Sequence, residues 1–280
     1  MINSSLVKKI NNHRSPTLIM GILNVTPDSF SDGGKFYKLD KAIEYSLELI
    51  NQGVDIIDVG GESTRPGSNP ISVDDEIDRV IPVIKGIRSV SSIPISIDTY
   101  KSEVAKEALK SGANIVNDIS GLTFDLKMID IVKEFNVPII IMHIKGTPKN
   151  MQQNPQYDNI IDEIVYYFEK QINLCLDHGI PKSHIILDPG IGFGKKLNDN
   201  FILIKELNTF TNLGYPILIG PSRKSFIGLT LDLPVDERLE GTAAAITASI
   251  INGARIIRVH DVLEMKRVQI ISDKIKGAVA

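Results

Sequence analysis

The feature that most constrains this chain is a two-part unit repeated along its length. A short, largely β-branched run ends in a polar or glycine cluster, and an amphipathic stretch follows. The runs lie at 18–23, 55–59, 94–97, 114–116, 138–142, 184–187, 216–219 and 255–259. They are apolar on both parities, as strands covered on both faces of a parallel sheet are. Between them the spacing predicts helices over 41–51, 73–89, 104–110, 126–135, 158–177, 198–213, 237–252 and 262–275, several stopped by a glycine. Pro82 predicts a kink or a break inside the second of these. Eight βα units in 280 residues match an α/β fold of the (β/α)8 TIM-barrel type, typically about 250 residues long, as a single domain. The rival is an open doubly wound sheet, which usually has fewer strands. Residues 1–16 read as an N-terminal extension and 17–280 as the barrel.

Composition removes other classes. Hydrophobic residues make up 42% of the chain, enough for a large core and above the disordered range. The formal net charge is −3, which argues against a general nucleic-acid binder but leaves room for a local basic site. One cysteine, Cys175, forms neither an internal disulfide nor a thiolate cluster, and suits a reducing, cytoplasmic location. The apolar stretch 137–142 is far too short to span a membrane, and residues 1–16 show no secretory pattern. The expected partners are small molecules, with neither nucleic acid nor membrane among them.

In a barrel the chemistry gathers where the strands end. After the first run comes Asn24-Val25-Thr26-Pro27-Asp28-Ser29-Phe30-Ser31-Asp32-Gly33-Gly34, and after the second Gly60-Gly61-Glu62-Ser63-Thr64-Arg65-Pro66-Gly67. The third and fourth give Asp98-Thr99 and Asn117-Asp118, the fifth Met142-His143. The sixth gives Asp188-Pro189-Gly190-Ile191-Gly192-Phe193-Gly194-Lys195, the seventh Ser222-Arg223-Lys224-Ser225, and the eighth Arg258 and His260. Arg258 and His260 are two apart and project to one side of their strand. With Arg65, Arg223 and Lys224 on the same rim, they call for a phosphate-like group more than for ordinary surface ion pairs. Asp98, Asn117 and Asp188 form an acidic counterpart. They suit an N–H-rich edge such as the 2-amino-4-oxo edge of a pterin or guanine, and equally a divalent metal.

Other signals fail. The segment 189–196 lacks the first glycine and the hydroxyl residue of a phosphate loop, and it lacks the third glycine of a dinucleotide fingerprint. Cys175 sits mid-helix, and Tyr166, Tyr167 and Phe168 read as helix packing.

Taken together, the motifs 24–34, 61–67, 188–195, 222–225 and 258–261 resemble the dihydropteroate synthase family of pterin-binding barrels, in the family's order. The resemblance implies condensation of 6-hydroxymethyl-7,8-dihydropterin diphosphate with 4-aminobenzoate, releasing diphosphate, in folate synthesis. It further implies Mg2+ dependence, sulfonamide inhibition and a homodimer. By position, Asp98, Asn117, Met142, Asp188 and Lys224 are expected to bind the pterin. Asn24, Arg65, Arg258 and His260 are expected at the diphosphate, with Asn24 also the metal contact. Phe30, Thr64, Pro66, Phe193, Lys224 and Ser225 are expected around aminobenzoate. Asp98, Lys224, Arg258 and His260 are expected to act in catalysis. A methyltransferase barrel shares the acidic cradle but has no need of Arg65, Arg258 and His260 for a diphosphate. A non-catalytic pterin or phosphate binder is the remaining alternative.

Overall fold

The computed structural model describes residues 2–26 and 35–279, with side chains at 4–26 and 39–279. A first helix, α1 (Ile2–Asn11), precedes β1 (Leu18–Asn24) and α2 (Lys35–Asn51). Next come β2 (Ile56–Gly60), α3 (Val73–Val90), β3 (Ile95–Asp98) and α4 (Ser102–Lys110). The middle of the chain holds β4 (Ile115–Asp118), α5 (Met128–Phe135), β5 (Ile139–Met142), α6 (Ile160–Asp177) and β6 (Ile185–Asp188). It finishes with α7 (Leu197–Lys205), α8 (Leu207–Thr211), β7 (Leu218–Ile219), α9 (Ser225–Leu231), α10 (Leu239–Ile251), β8 (Ile256–Val259) and α11 (Val262–Lys276).

All the strand pairs are parallel, in the order β6-β5-β4-β3-β2-β1-β8-β7. The two edges meet through one bridge, Leu187 to Ile217, where the Leu187 N–H donates to the Pro216 carbonyl at 3.0 Å. The expected (β/α)8 barrel is therefore the fold, with one thin seam. Among the described residues no helix is long and apolar enough to cross a membrane.

Two helix expectations need correction. The stretch with Pro82 runs on as one helix, α3. Pro82 is exposed there, so its ring stands on the solvent side of the helix. The stretch 198–213 is instead two helices meeting at Glu206. The Asn252 amide donates to the carbonyls of Ile204 at 2.9 Å and Lys205 at 3.3 Å, so the α7 ladder ends there. Elsewhere caps set the boundaries: Ser72 Oγ accepts from Asp75 N–H ahead of α3, and Asn159 accepts from Ile161 and Asp162 ahead of α6.

Strand alternation divides each run between two environments. Ile19, Leu23, Ile57, Val59, Ile97, Val116, Ile141, Leu187, Ile219 and Ile257 point outward and pack under the helices in the main core. The opposite parity fills the barrel in two tiers. The lower tier is apolar, built from Leu18, Met20, Ile56, Ile115, Ile140, Ile186, Leu218 and Ile256. Higher along five of the strands the same parity carries Asp58, Asp98, Asn117, Asp188 and Arg258, with Ser96 below Asp98 on β3.

The lower tier is closed from below by α1, whose Leu6 and Ile10 join it. Arg255 fixes the chain leaving α1 by donating to the carbonyls of Lys9, Ile10, Ser15 and Pro16. Residues 2–11 thus form the floor of the barrel. Ile10 is 1% exposed, and Ile10→Ala leaves a cavity in that floor. It is expected to lower the unfolding free energy by about 3 kcal/mol, read by urea denaturation. An unchanged midpoint would show that the floor adds nothing to stability.

Candidate active site

The upper tier is organised by Arg258. Its Nε donates to Asp58 Oδ2 at 2.6 Å and its Nη2 to Asp98 Oδ2 at 2.7 Å. Asn117 Nδ2 donates to the same Asp58 oxygen at 3.1 Å. One buried carboxylate thus ties the strand carrying the amide to the strand carrying the guanidinium. Of the adjacent pair at the end of β4, only Asn117 faces inward. Asp118 instead accepts from Ser120 and Leu122 and shapes the turn beyond the strand.

Above this layer lies a cleft bounded by Thr64, Asp98, Asn117, Met142, Asp188, Phe193, Lys224 and Arg258. Eight expected site residues therefore share one cavity. The Lys224 ammonium lies 4.1 Å from the centre of the Phe193 ring. Burial, then Arg258, push that ammonium down to about 8, against the pull of Asp188 and Asp98. Burial pushes the Asp188 carboxyl up to about 6, opposed first by the Gly190 N–H it accepts at 2.7 Å and then by Lys195 and Lys224. Burial likewise raises Asp98, while Arg258 draws it back down. Met142 is held from behind by Tyr167, whose hydroxyl donates to the Met142 carbonyl at 3.1 Å.

The remaining expected residues surround this cleft or lie apart from it. Asn24 ends β1 beside Gly60, where an added Cβ would stand 3.7 Å from both Asn24 Oδ1 and Asp98 Oδ2. His260 follows β8 and is bonded to Ser222. Ser225 opens α9 and is exposed, as are Arg65 and Pro66. Phe30 lies outside the described residues. Arg223, expected on the basic rim, is taken up by Asp261: its Nε donates to Oδ2 at 2.9 Å, and a second bond joins Nη2 to Oδ1. It ties two loops together and is spent as an anion ligand.

Sequence reasoning missed three participants. Asp58 was hidden inside an apolar run, and its signal is its parity, shared with inward-facing Ile56 and Gly60. Lys195, read only as a failed phosphate loop, is 3% exposed and donates at 2.9 Å to both His143 Nδ1 and the His143 carbonyl. Burial and Lys195 hold His143 down to about 2, so the ring is a neutral acceptor. Glu62 binds the root of the 61–71 loop, accepting from Tyr100 Oη at 2.7 Å, from Ile71 N–H at 3.2 Å and from Lys101. Lys101 also reaches Glu76 at 2.5 Å. Farther along, Gly67 N–H donates to the Pro148 carbonyl at 2.9 Å, so the loop carrying Thr64 and Arg65 is fastened at both ends.

Acidic acceptors, a cationic partner and apolar walls in one barrel mouth set the terms for comparison with known proteins. The family model for pterin-binding enzymes matches residues 20–260. The chain is 47% identical over 269 residues to dihydropteroate synthase of Bacillus subtilis, covering 95% of this chain and 92% of that protein. This chain belongs to the dihydropteroate synthase family. The crystal structure of Yersinia pestis dihydropteroate synthase in complex with a sulfonamide drug has a TM-score of 0.89 at 40% identity, covering 95% of this chain and 96% of that one. Xanthomonas albilineans dihydropteroate synthase with 4-aminobenzoic acid has a TM-score of 0.89 at 37% identity, covering 95% of each chain.

Within this family member, Asp58 is costly by itself: it is fully buried, and its Oδ1 has no hydrogen-bond partner among the described residues. Asp58→Asn removes the negative partner from a mostly buried guanidinium. The variant is expected to lose about 3 kcal/mol of stability in urea denaturation. A wild-type midpoint would show that Asp98 alone balances Arg258.

Proposed function

We propose that this chain joins the amino nitrogen of 4-aminobenzoate to the methylene of 6-hydroxymethyl-7,8-dihydropterin diphosphate, releasing diphosphate. The observation that carries the reading is that Asp188, Asn117, Lys224 and Arg258 line one cleft. Asp188 accepts from the N–H edge of the pterin, while the Asn117 oxygen and the Lys224 ammonium engage the same edge. Met142 and Phe193 supply apolar walls. Arg258, His260 and Arg65 receive the diphosphate, and the aminobenzoate lies toward Thr64, Pro66, Ser225 and the outer face of Phe193.

The carbon–oxygen bond to diphosphate breaks with its electron pair leaving on the oxygen, where Arg258 and His260 offset the growing negative charge. The methylene then carries positive charge shared with the electron-rich ring, a dissociative, SN1-like route. Asp98 and Asp188 face that charge. The aniline nitrogen is already neutral at physiological pH, so it attacks without prior deprotonation and gives up its proton afterwards. Positioning matters more than base catalysis here.

Asn24 is the proposed Mg2+ contact. Among the described residues no three His, Cys, Asp or Glu side chains gather as a metal site. A neutral amide oxygen beside Asp98 fits a hard cation that completes its shell with phosphate oxygens and water. When bound, the ion would neutralise part of the leaving group's charge. The reading includes a homodimer, supported by exposed Ile251, Ile270, Ile271 and Ile275 on α10 and α11. It includes a cytoplasmic location, supported by the free, buried Cys175, and sulfonamide sensitivity, supported by the drug complex of the Yersinia pestis relative.

Purified protein, the pterin diphosphate, 4-aminobenzoate and Mg2+ are expected to yield dihydropteroate, and absence of that product overturns the reading. Asp188→Asn is expected to weaken pterin binding about 10- to 150-fold by calorimetry, the worth of one charge-assisted hydrogen bond. Activity is expected to be bell-shaped in pH. Asp188 must be ionised to accept, so kcat/KM rises through about 6; Lys224 must be protonated to donate, so it falls through about 8. Lys224→Gln is expected to lose the alkaline limb, and a profile that keeps it assigns that limb to another group.

A further inference from the structure

Ser222 lies between β7 and α9 and is 3% exposed. Two contacts join it to His260: the His260 backbone N–H donates to Ser222 Oγ at 3.2 Å, and Oγ stands 3.1 Å from the ring's Nδ1. A hydroxyl has one proton to give. Oγ accepts the backbone N–H, and Nδ1 stands within reach of its proton. Donated to Nδ1, that proton meets the lone pair of a ring protonated at Nε2.

The position of Ser222 is over-determined. Its neighbour Arg223 has φ +56°, a left-handed conformation unfavourable for a long side chain. That conformation is held by the Arg223–Asp261 pair, by Arg223 N–H donating to Thr242 Oγ1 at 3.1 Å, and by Arg238 Nη1 donating to the Arg223 carbonyl at 3.0 Å. Residues 222–223 are thus latched to 260–261 through two successive side-chain pairs. Burial, then Arg258 and Arg223, hold the His260 ring down to about 3, so it carries one proton at neutral pH.

We propose that Ser222 is a positioning residue that fixes His260 as the Nε2–H tautomer, so that the distal ring nitrogen donates to the departing diphosphate. The opposite tautomer would aim a lone pair at an anion. This inference rests on the assignment of His260 to the diphosphate.

The test is 15N NMR of the histidine-labelled, ligand-free protein at neutral pH, with the His260 signals assigned by their loss in His260→Gln. The wild type is expected to show Nδ1 unprotonated and Nε2 protonated, and Ser222→Ala a mixture of the two tautomers. In turnover, Ser222→Ala is expected to lower kcat about tenfold, with KM for 4-aminobenzoate unchanged and most of kcat restored in Ser222→Thr. A wild-type ring protonated on Nδ1 overturns the proposal, as does a Ser222→Ala variant that keeps a pure Nε2–H ring. Full turnover by His260→Gln rejects the diphosphate assignment instead, whatever tautomer the spectrum shows.

Discussion

Everything above the barrel floor depends on how Arg258 is held. A guanidinium inside a barrel is tolerable only with its charge matched. Asp58 and Asp98 match it, from two different strands and through Nε and Nη2, and leave Nη1 outside that pairing. Asp58 then reaches Asn117 as well. Asp58, Asp98, Asn117 and Arg258 are therefore parts of one bonded unit. A shift of Arg258 would be felt at Asn117 through a shared oxygen.

The remaining charges follow from the same confinement. Burial drives Asp188 up, burial and then Arg258 drive Lys224 down, and each of the two counters the other's shift. The outcome is two groups of opposite sign that titrate on either side of neutrality while facing one cavity. The apolar tier below makes this possible by keeping water out from beneath, and α1 completes that exclusion.

Much of this was legible in the residues. Runs apolar on both parities announced a parallel sheet covered on both sides, and the polar tips announced which end carries the chemistry. Asp98, Asn117, Asp188 and Arg258, singled out at the strand tips, do line one cleft. Asp58 was overlooked because the whole of 55–59 was read as one apolar run, although its parity, shared with Ile56, places it within the barrel. Arg223 was misjudged because composition shows a charge but not its partner, and Asp261 becomes its neighbour only when strands seven and eight lie side by side. Pro82 does not break α3, because it falls on the exposed face, which a single residue type does not reveal. Lys195 and Glu62 act on groups far away in sequence, and local spacing carries no trace of such pairings.

The ring of strands closes on a single bridge between β6 and β7, and those two strands lead to Asp188 and Lys224. Every other neighbouring pair is fastened by at least two register positions. The gap between this carboxylate and this ammonium is consequently governed by side-chain packing in place of a backbone ladder. At this one joint the hoop is closed by a single rivet, where its other joints have a row.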